Sequence, residues 1–167
     1  MATLIKDRRI ATDSWKRLER RTDGTLPVLP EAGELIVPLA LWLERRAELL
    51  QRTGPFGVWL DSNEEPETIA TDVRRFAVIA VNFPKYQDGR GFSIARLLRE
   101  RYGYKGELRA VGHLTRDHLY YMEGCGFNAF ELREGESLEE ALAAFGDFSE
   151  AYQASVSRPT PLFRRRV

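Results

Sequence analysis

Short apolar runs and amphipathic stretches alternate along most of the chain. Leu35-Ile36-Val37-Pro38-Leu39 reads as a strand. The stretch from Leu41 to Arg52 reads as a helix with Leu41, Trp42, Leu49 and Leu50 as candidate buried positions, ended by Gly54-Pro55. Gly57 to Leu60 is a second apolar run, followed by a helical stretch over 66–76. Phe76 to Val81 is the strongest strand signal: it is continuous and β-branched, as expected of a strand covered on both faces. Further helices are predicted over 92–102 and 115–123 and further strands over 108–111 and 127–132, with Gly124 or Gly126 stopping the second of these helices. Ser137-Leu138-Glu139-Glu140 has the form of a capping box and opens a last helix to about Ala151, interrupted near Gly146.

This rhythm is the signature of repeated βα units and an α/β fold with a mainly parallel sheet. Four or five units are too few for an eight-unit barrel, which typically takes about 250 residues, so an open sheet or a half-barrel remains. A half-barrel would leave an apolar edge that invites a homodimer. The pattern weakens at both ends. Residues 1–30 read as a peripheral N-terminal segment with a hairpin signal at Asp23-Gly24, residues 31–157 as the α/β domain, and residues 158–167 as a basic tail.

Composition narrows the function classes. The 25 Lys and Arg balance 25 Asp and Glu, which argues against a dedicated nucleic-acid binder. The single cysteine, Cys125, can neither close an internal disulfide nor build a four-cysteine metal site. It follows a helix C-terminus, whose dipole disfavours a thiolate, and reads as a packed small residue. No apolar stretch reaches the ~20 residues of a membrane span, and the charged N-terminus lacks the apolar centre of a signal peptide. A cytoplasmic location without membrane association is the expectation.

Candidate chemistry concentrates between the main strand and its following helix, in Phe83-Pro84-Lys85-Tyr86-Gln87-Asp88-Gly89-Arg90-Gly91-Phe92-Ser93. Strand ends that feed a helix N-terminus are where α/β proteins hold ligands. Asp88, Gly89, Arg90, Gly91, Ser93 and Arg96 form a candidate small-anion site. Arg90 would neutralise the anion, Ser93 and the helix N–H groups would donate to it, and Asp88 would orient Arg90. The alternative is a turn with an internal Asp88–Arg90 pair, its glycines supplying turn geometry. Gly89-x-Gly91 is neither a dinucleotide fingerprint nor a phosphate-binding Walker loop.

His113 is placed at the same sheet edge, and it and Asp88 are the candidate catalytic bases; an exposed loop histidine is the plainer reading. Asp61, Glu64 and Glu65 follow the second strand at this edge, where carboxylates also simply suit a helix N-terminus. His113, Asp117 and His118 match no established ligand spacing, so no metal is expected. No motif for flavin, nicotinamide, haem or iron–sulfur is found, and no cofactor is expected. Arg164, Arg165 and Arg166 could dock an acidic partner such as a small electron carrier, or be a solvated end.

A longer set of residues carries a resemblance. Phe83-Pro84-Lys85, Asp88-Gly89-Arg90-Gly91-Phe92-Ser93, Ala95-Arg96-Leu97-Leu98-Arg99-Glu100-Arg101, Gly106 to Gly112 and Cys125-Gly126-Phe127-Asn128-Ala129-Phe130 together resemble the bacterial family called domain of unknown function 934, from about Leu35 to Arg166. The resemblance implies a gene neighbourhood beside sulfite reductase and the label of a probable oxidoreductase in sulfite reduction. It implies sulfite reductase or its electron donor as partner and carries over no catalytic residue. The family pattern has an acid at the position of His113, a glutamine at His118 and a basic residue at Glu123. These departures count against His113 as a shared base. The expectation is an accessory protein of assimilatory sulfite reduction with an anion site at the Asp88 loop. The alternatives are a non-catalytic interaction module or an enzyme on a small phosphorylated or carboxylated metabolite.

Overall fold

The computed structural model describes residues 2–25, 27–146, 154–161 and 164. Its strands are β1 (Ala2–Lys6), β2 (Arg9–Asp13), β3 (Lys16–Arg17), β4 (Leu35–Pro38), β5 (Phe56–Leu60), β6 (Val78–Phe83), β7 (Glu107–Gly112) and β8 (Ala129–Phe130). They form one eight-stranded sheet in the order β2-β1-β8-β7-β6-β5-β4-β3. From β3 to β8 every neighbouring pair is parallel, while β1 runs antiparallel to β8 and β2 antiparallel to β1. The helices are α1 (Leu39–Gln51), α2 (Arg90–Arg96, continued by a π-helical turn to Arg101), α3 (Arg116–Cys125) and α4 (Leu138–Ala143). This is the mainly parallel α/β sheet that the alternation predicts, and of the two forms left open it takes the half-barrel.

The hydrophobic pattern explains the layers. On β6, Ile79, Val81 and Phe83 join the large core between sheet and helices. Val78 and Ala80 point the other way and pack with Ile36, Trp59 and Val111 on the inner face. Both faces are therefore buried, which is why these strands lack polar alternation. Where 66–76 was expected to form a helix, only two 3₁₀ turns occur, Pro66–Ile69 and Val73–Arg75. Gly126, at φ 112°, takes the left-handed conformation that ends α3. Ser137 caps α4 as expected: its Oγ accepts from the Glu140 N–H at 3.2 Å. The expected continuation of that helix to Ala151 falls partly outside the described residues.

The N-terminal segment departs most from expectation. Instead of lying at the periphery, β1 docks on β8, with Leu4 and Ile5 2% and 0% exposed. The hairpin turns at Asp7 and Arg8, both at positive φ (49° and 59°), and Asp23-Gly24 makes only a local turn in an irregular segment. Such a turn normally announces itself with Asn-Gly or Asp-Gly. Here it is anchored by distant contacts instead, Asp7 N–H donating to Asn128 O at 2.8 Å and Asn128 Nδ2 to Asp7 Oδ1 at 3.0 Å.

The two edge strands, β2 and β3, are separated by only Ser14 and Trp15. Three peptide units span at most about 11 Å, so the sheet curls until its edges nearly meet. β2 runs parallel to β3, and the run Arg9–Arg17 pairs with β1 in its first half and β4 in its second. It spans the open side of the half-barrel, and Trp15 packs on the inner cluster. The chain's own N-terminal run thus covers part of the inner face.

A buried ionic cluster fastens this closure. Arg109, on β7, is 2% exposed. Its Nη1 lies 2.8 Å from Asp13 Oδ2 and its Nε 2.8 Å from Glu107 Oε1, while Lys6 Nζ sits 2.7 Å from Glu107 Oε2. Removing one partner of a buried pair leaves an uncompensated charge at a cost of about 3–5 kcal/mol. Asp13→Ala is therefore expected to lose stability on that scale in urea unfolding, and Asp13→Ala combined with Arg109→Met to lose clearly less.

Candidate functional site

In parallel α/β sheets, ligands gather outside the C-terminal strand ends. At this end β5 leads into Asp61 and Ser62, β6 carries Asn82, β7 ends at Gly112 before His113, and β8 leads into Glu131. Asp61 Oδ1 accepts from Asn82 Nδ2 at 3.0 Å and from the Ser62 N–H at 2.9 Å, and the Asp61 N–H donates to Glu64 Oε2 at 2.7 Å. The segment after β3 folds over the same end. Arg17 Nη1 donates to Glu131 Oε2 at 2.9 Å, Arg20 pairs with Glu64 and lies over the Trp59 ring, and Trp59 Nε1 donates to Leu18 O at 2.8 Å. The strand ends thus meet a network in which Glu64 and Glu131 are paired with arginines and Asp61 is held by neutral donors.

The Asp88–Ser93 loop joins this network. Arg90 Nε donates to Asp88 Oδ1 at 3.0 Å and its Nη2 to Asp88 Oδ2 at 2.6 Å; Nη2 also reaches Ser62 Oγ at 2.9 Å. Asp88 Oδ1 further accepts the Arg90 backbone N–H at 3.2 Å. One carboxylate therefore takes up both the guanidinium and a first-turn donor of α2, the groups an external anion would use. Arg90, followed by Ser62, holds the Asp88 carboxyl well below the usual carboxylate range. Beside it, Arg90 and Ser93 line an open hollow of about 500 Å³, with Glu64, Glu65 and Glu67 on its other side. This surplus of carboxylates repels anions.

The remaining expected residues separate. Gly91 serves packing: a Cβ there would lie 2.5 Å from the Phe83 ring, so only glycine lets α2 settle on β6. Gly89 has an ordinary φ of −86° and room for a Cβ. Arg96 does not join Arg90; it lines a different hollow, between α2 and α3. His113 is exposed at the expected edge, its N–H donating to Phe83 O at 2.8 Å. Gly112 makes that turn, at φ 100° and with its Cβ position 2.5 Å from Phe83 O. Arg164 is exposed, while Arg165 and Arg166 lie outside the described residues. Cys125 is fully buried, and burial pushes its thiol pKa up against the opposing influence of Arg96. Among the described residues, no group of three or more His, Cys, Asp or Glu is placed to hold a metal ion, and no helix is long and apolar enough to cross a membrane.

Sequence reasoning passed over Ser62, Asn82, Arg17 and Arg20. Ser62 and Asn82 had a signal, each following an apolar run at the strand end already singled out. Arg17 and Arg20 had none, because their place depends on the N-terminal closure.

A depressed carboxylate contributes stability that is present above its unfolded pKa, about 4 for aspartate, and is lost as pH falls below it. Relative to Asp88→Asn, the protein is expected to lose thermal stability as pH falls from about 5 toward 2. Parallel melting curves of the two proteins check this.

No curated protein matches the chain significantly. Residues 57–163 match the family model described as "Bacterial protein of unknown function (DUF934)". That span runs from β5 past α4 and includes the Asp88–Arg90–Ser62 cluster, Asn82 and His113, so the chain belongs to the DUF934 family.

Proposed function

We propose that the protein is an accessory of assimilatory sulfite reduction that works as a non-catalytic interaction module for the reductase system. The sulfur assignment comes from the family resemblance. The non-catalytic part is supported by one observation: the polar groups at the strand ends bond to one another. Asp61 is held by Asn82, Glu64 by Arg20, Glu131 by Arg17, and Asp88 by Arg90, whose guanidinium also donates to Ser62 Oγ. A general base must reach a substrate proton, and a carboxylate held down by a bidentate arginine is a poor one. The second reading, a small-anion site at the Asp88 loop, is opposed by the four carboxylates around Arg90. Electrons for any reduction would come from a partner's cofactor.

A deletion strain is expected to grow normally on cysteine and poorly on sulfate. Complementation with Asp61→Asn, Asp88→Asn or His113→Ala is expected to restore growth on sulfate. Equal growth of the deletion strain on both sulfur sources would remove the sulfur role. Failure of a folded Asp61→Asn or His113→Ala protein to complement would replace the interaction module with an enzyme.

A further inference from the structure

A hollow of about 190 Å³ lies where α2, α3 and the segment from Ala154 to Arg158 meet, away from the strand ends. The rings of Tyr120 and Tyr121 and the backbone at Gly124 line it, together with Ser157, Arg96 and Arg158. Tyr121 is 55% exposed and packs edge-on against Phe92, with ring centroids 4.9 Å apart. A dry cavity of about 150 Å³ is enough to take up a benzene molecule, so this hollow has room for one six-membered ring and a small substituent.

Its charges are unbalanced. The acidic group in its lining, Glu123, is spent on Arg8, whose Nε and Nη2 donate to its two oxygens at 2.8 and 2.7 Å. Arg158 donates to Tyr120 Oη at 3.2 Å and lies over that ring at 5.7 Å, and has no carboxylate partner among the described residues. Arg96 lies beside the Cys125 sulfur, with the exposed Glu100 at 3.8 Å. Two half-buried guanidiniums thus flank a space of largely apolar lining, Arg96 with only the long contact to the exposed Glu100 and Arg158 with no carboxylate partner among the described residues. Guanidinium favours planar, bidentate oxyanions, and tyrosine rings favour a flat apolar body.

We propose that this hollow is a binding site for a small organic monoanion with a ring-sized apolar body, an aromatic or alicyclic carboxylate. Arg96 and Arg158 would hold the carboxylate, and Tyr120 and Tyr121 the ring. The site is independent of the sulfite-reduction reading and uses none of the strand-end residues.

Titrating the full chain with benzoate, followed by protein NMR or calorimetry, tests it. Saturable binding is expected, with amide shifts centred on Tyr121 and Gly124, and no binding of benzylammonium, the cation of similar shape. Arg158→Gln and Arg96→Gln are each expected to weaken binding at least about tenfold, the loss of one charge-assisted contact. Ser157→Phe, at an exposed position, fills the hollow while keeping both guanidiniums, and is expected to abolish binding with the melting temperature unchanged. Absence of saturable benzoate binding, equal binding of benzylammonium, or wild-type affinity in Ser157→Phe or Arg158→Gln would overturn the proposal.

Discussion

The closure of the sheet rests on Arg109. A guanidinium at the centre of a small half-barrel is costly unless every face of its charge is answered. Glu107 answers it from two residues back on the same strand, and Asp13 from the far end of β2. Asp13 immediately precedes the two residues that carry the chain to β3. The ion pair therefore fixes the point where the covering run changes neighbours. Trp15 can then pack on the inner cluster and Arg17 can face Glu131. Without that anchor, the inner face of β5, β6 and β7 would stand open to water.

The part of the fold written in local pattern was legible. The parallel order of β4 to β8 follows from apolar runs separated by amphipathic stretches, and the cap at Ser137 and the stop after α3 follow from single residues. What escaped is what long-range contact decides. Asp7-Arg8 lacks the glycine of the usual Asp-Gly turn, and the hairpin there is tied down by its two bonds to Asn128. β3 is two residues long and draws its geometry from β4. The stretch 66–76 forms two 3₁₀ turns, Pro66–Ile69 and Val73–Arg75, in place of the expected helix.

The candidate site divides in the same way. The sequence placed Asp88, Arg90 and Ser93 together, and they lie at the first turn of α2, beside the C-terminal ends of the parallel strands. The outcome there turned on Ser62, 28 residues away, and on the side chains of Glu64, Glu65 and Glu67 facing the same hollow. A motif read alone gives an arginine seeking an anion; its surroundings give an arginine already satisfied. Arg96 shows the opposite displacement. Six residues after Arg90, it belongs to the face shared with α3, because a helix turns successive side chains toward different neighbours.

The pairing of β1 with β8 has a consequence for biosynthesis. β1 takes its place beside β8, a strand made more than 120 residues later. At about 5–20 residues per second the ribbon waits on the order of ten seconds for its dock. Throughout that interval Trp59, Val78 and Val111 emerge with no lid to cover them. The nascent chain thus carries a sticky concave surface until β8 has been made, and shielding by a chaperone matters most for this protein in that window.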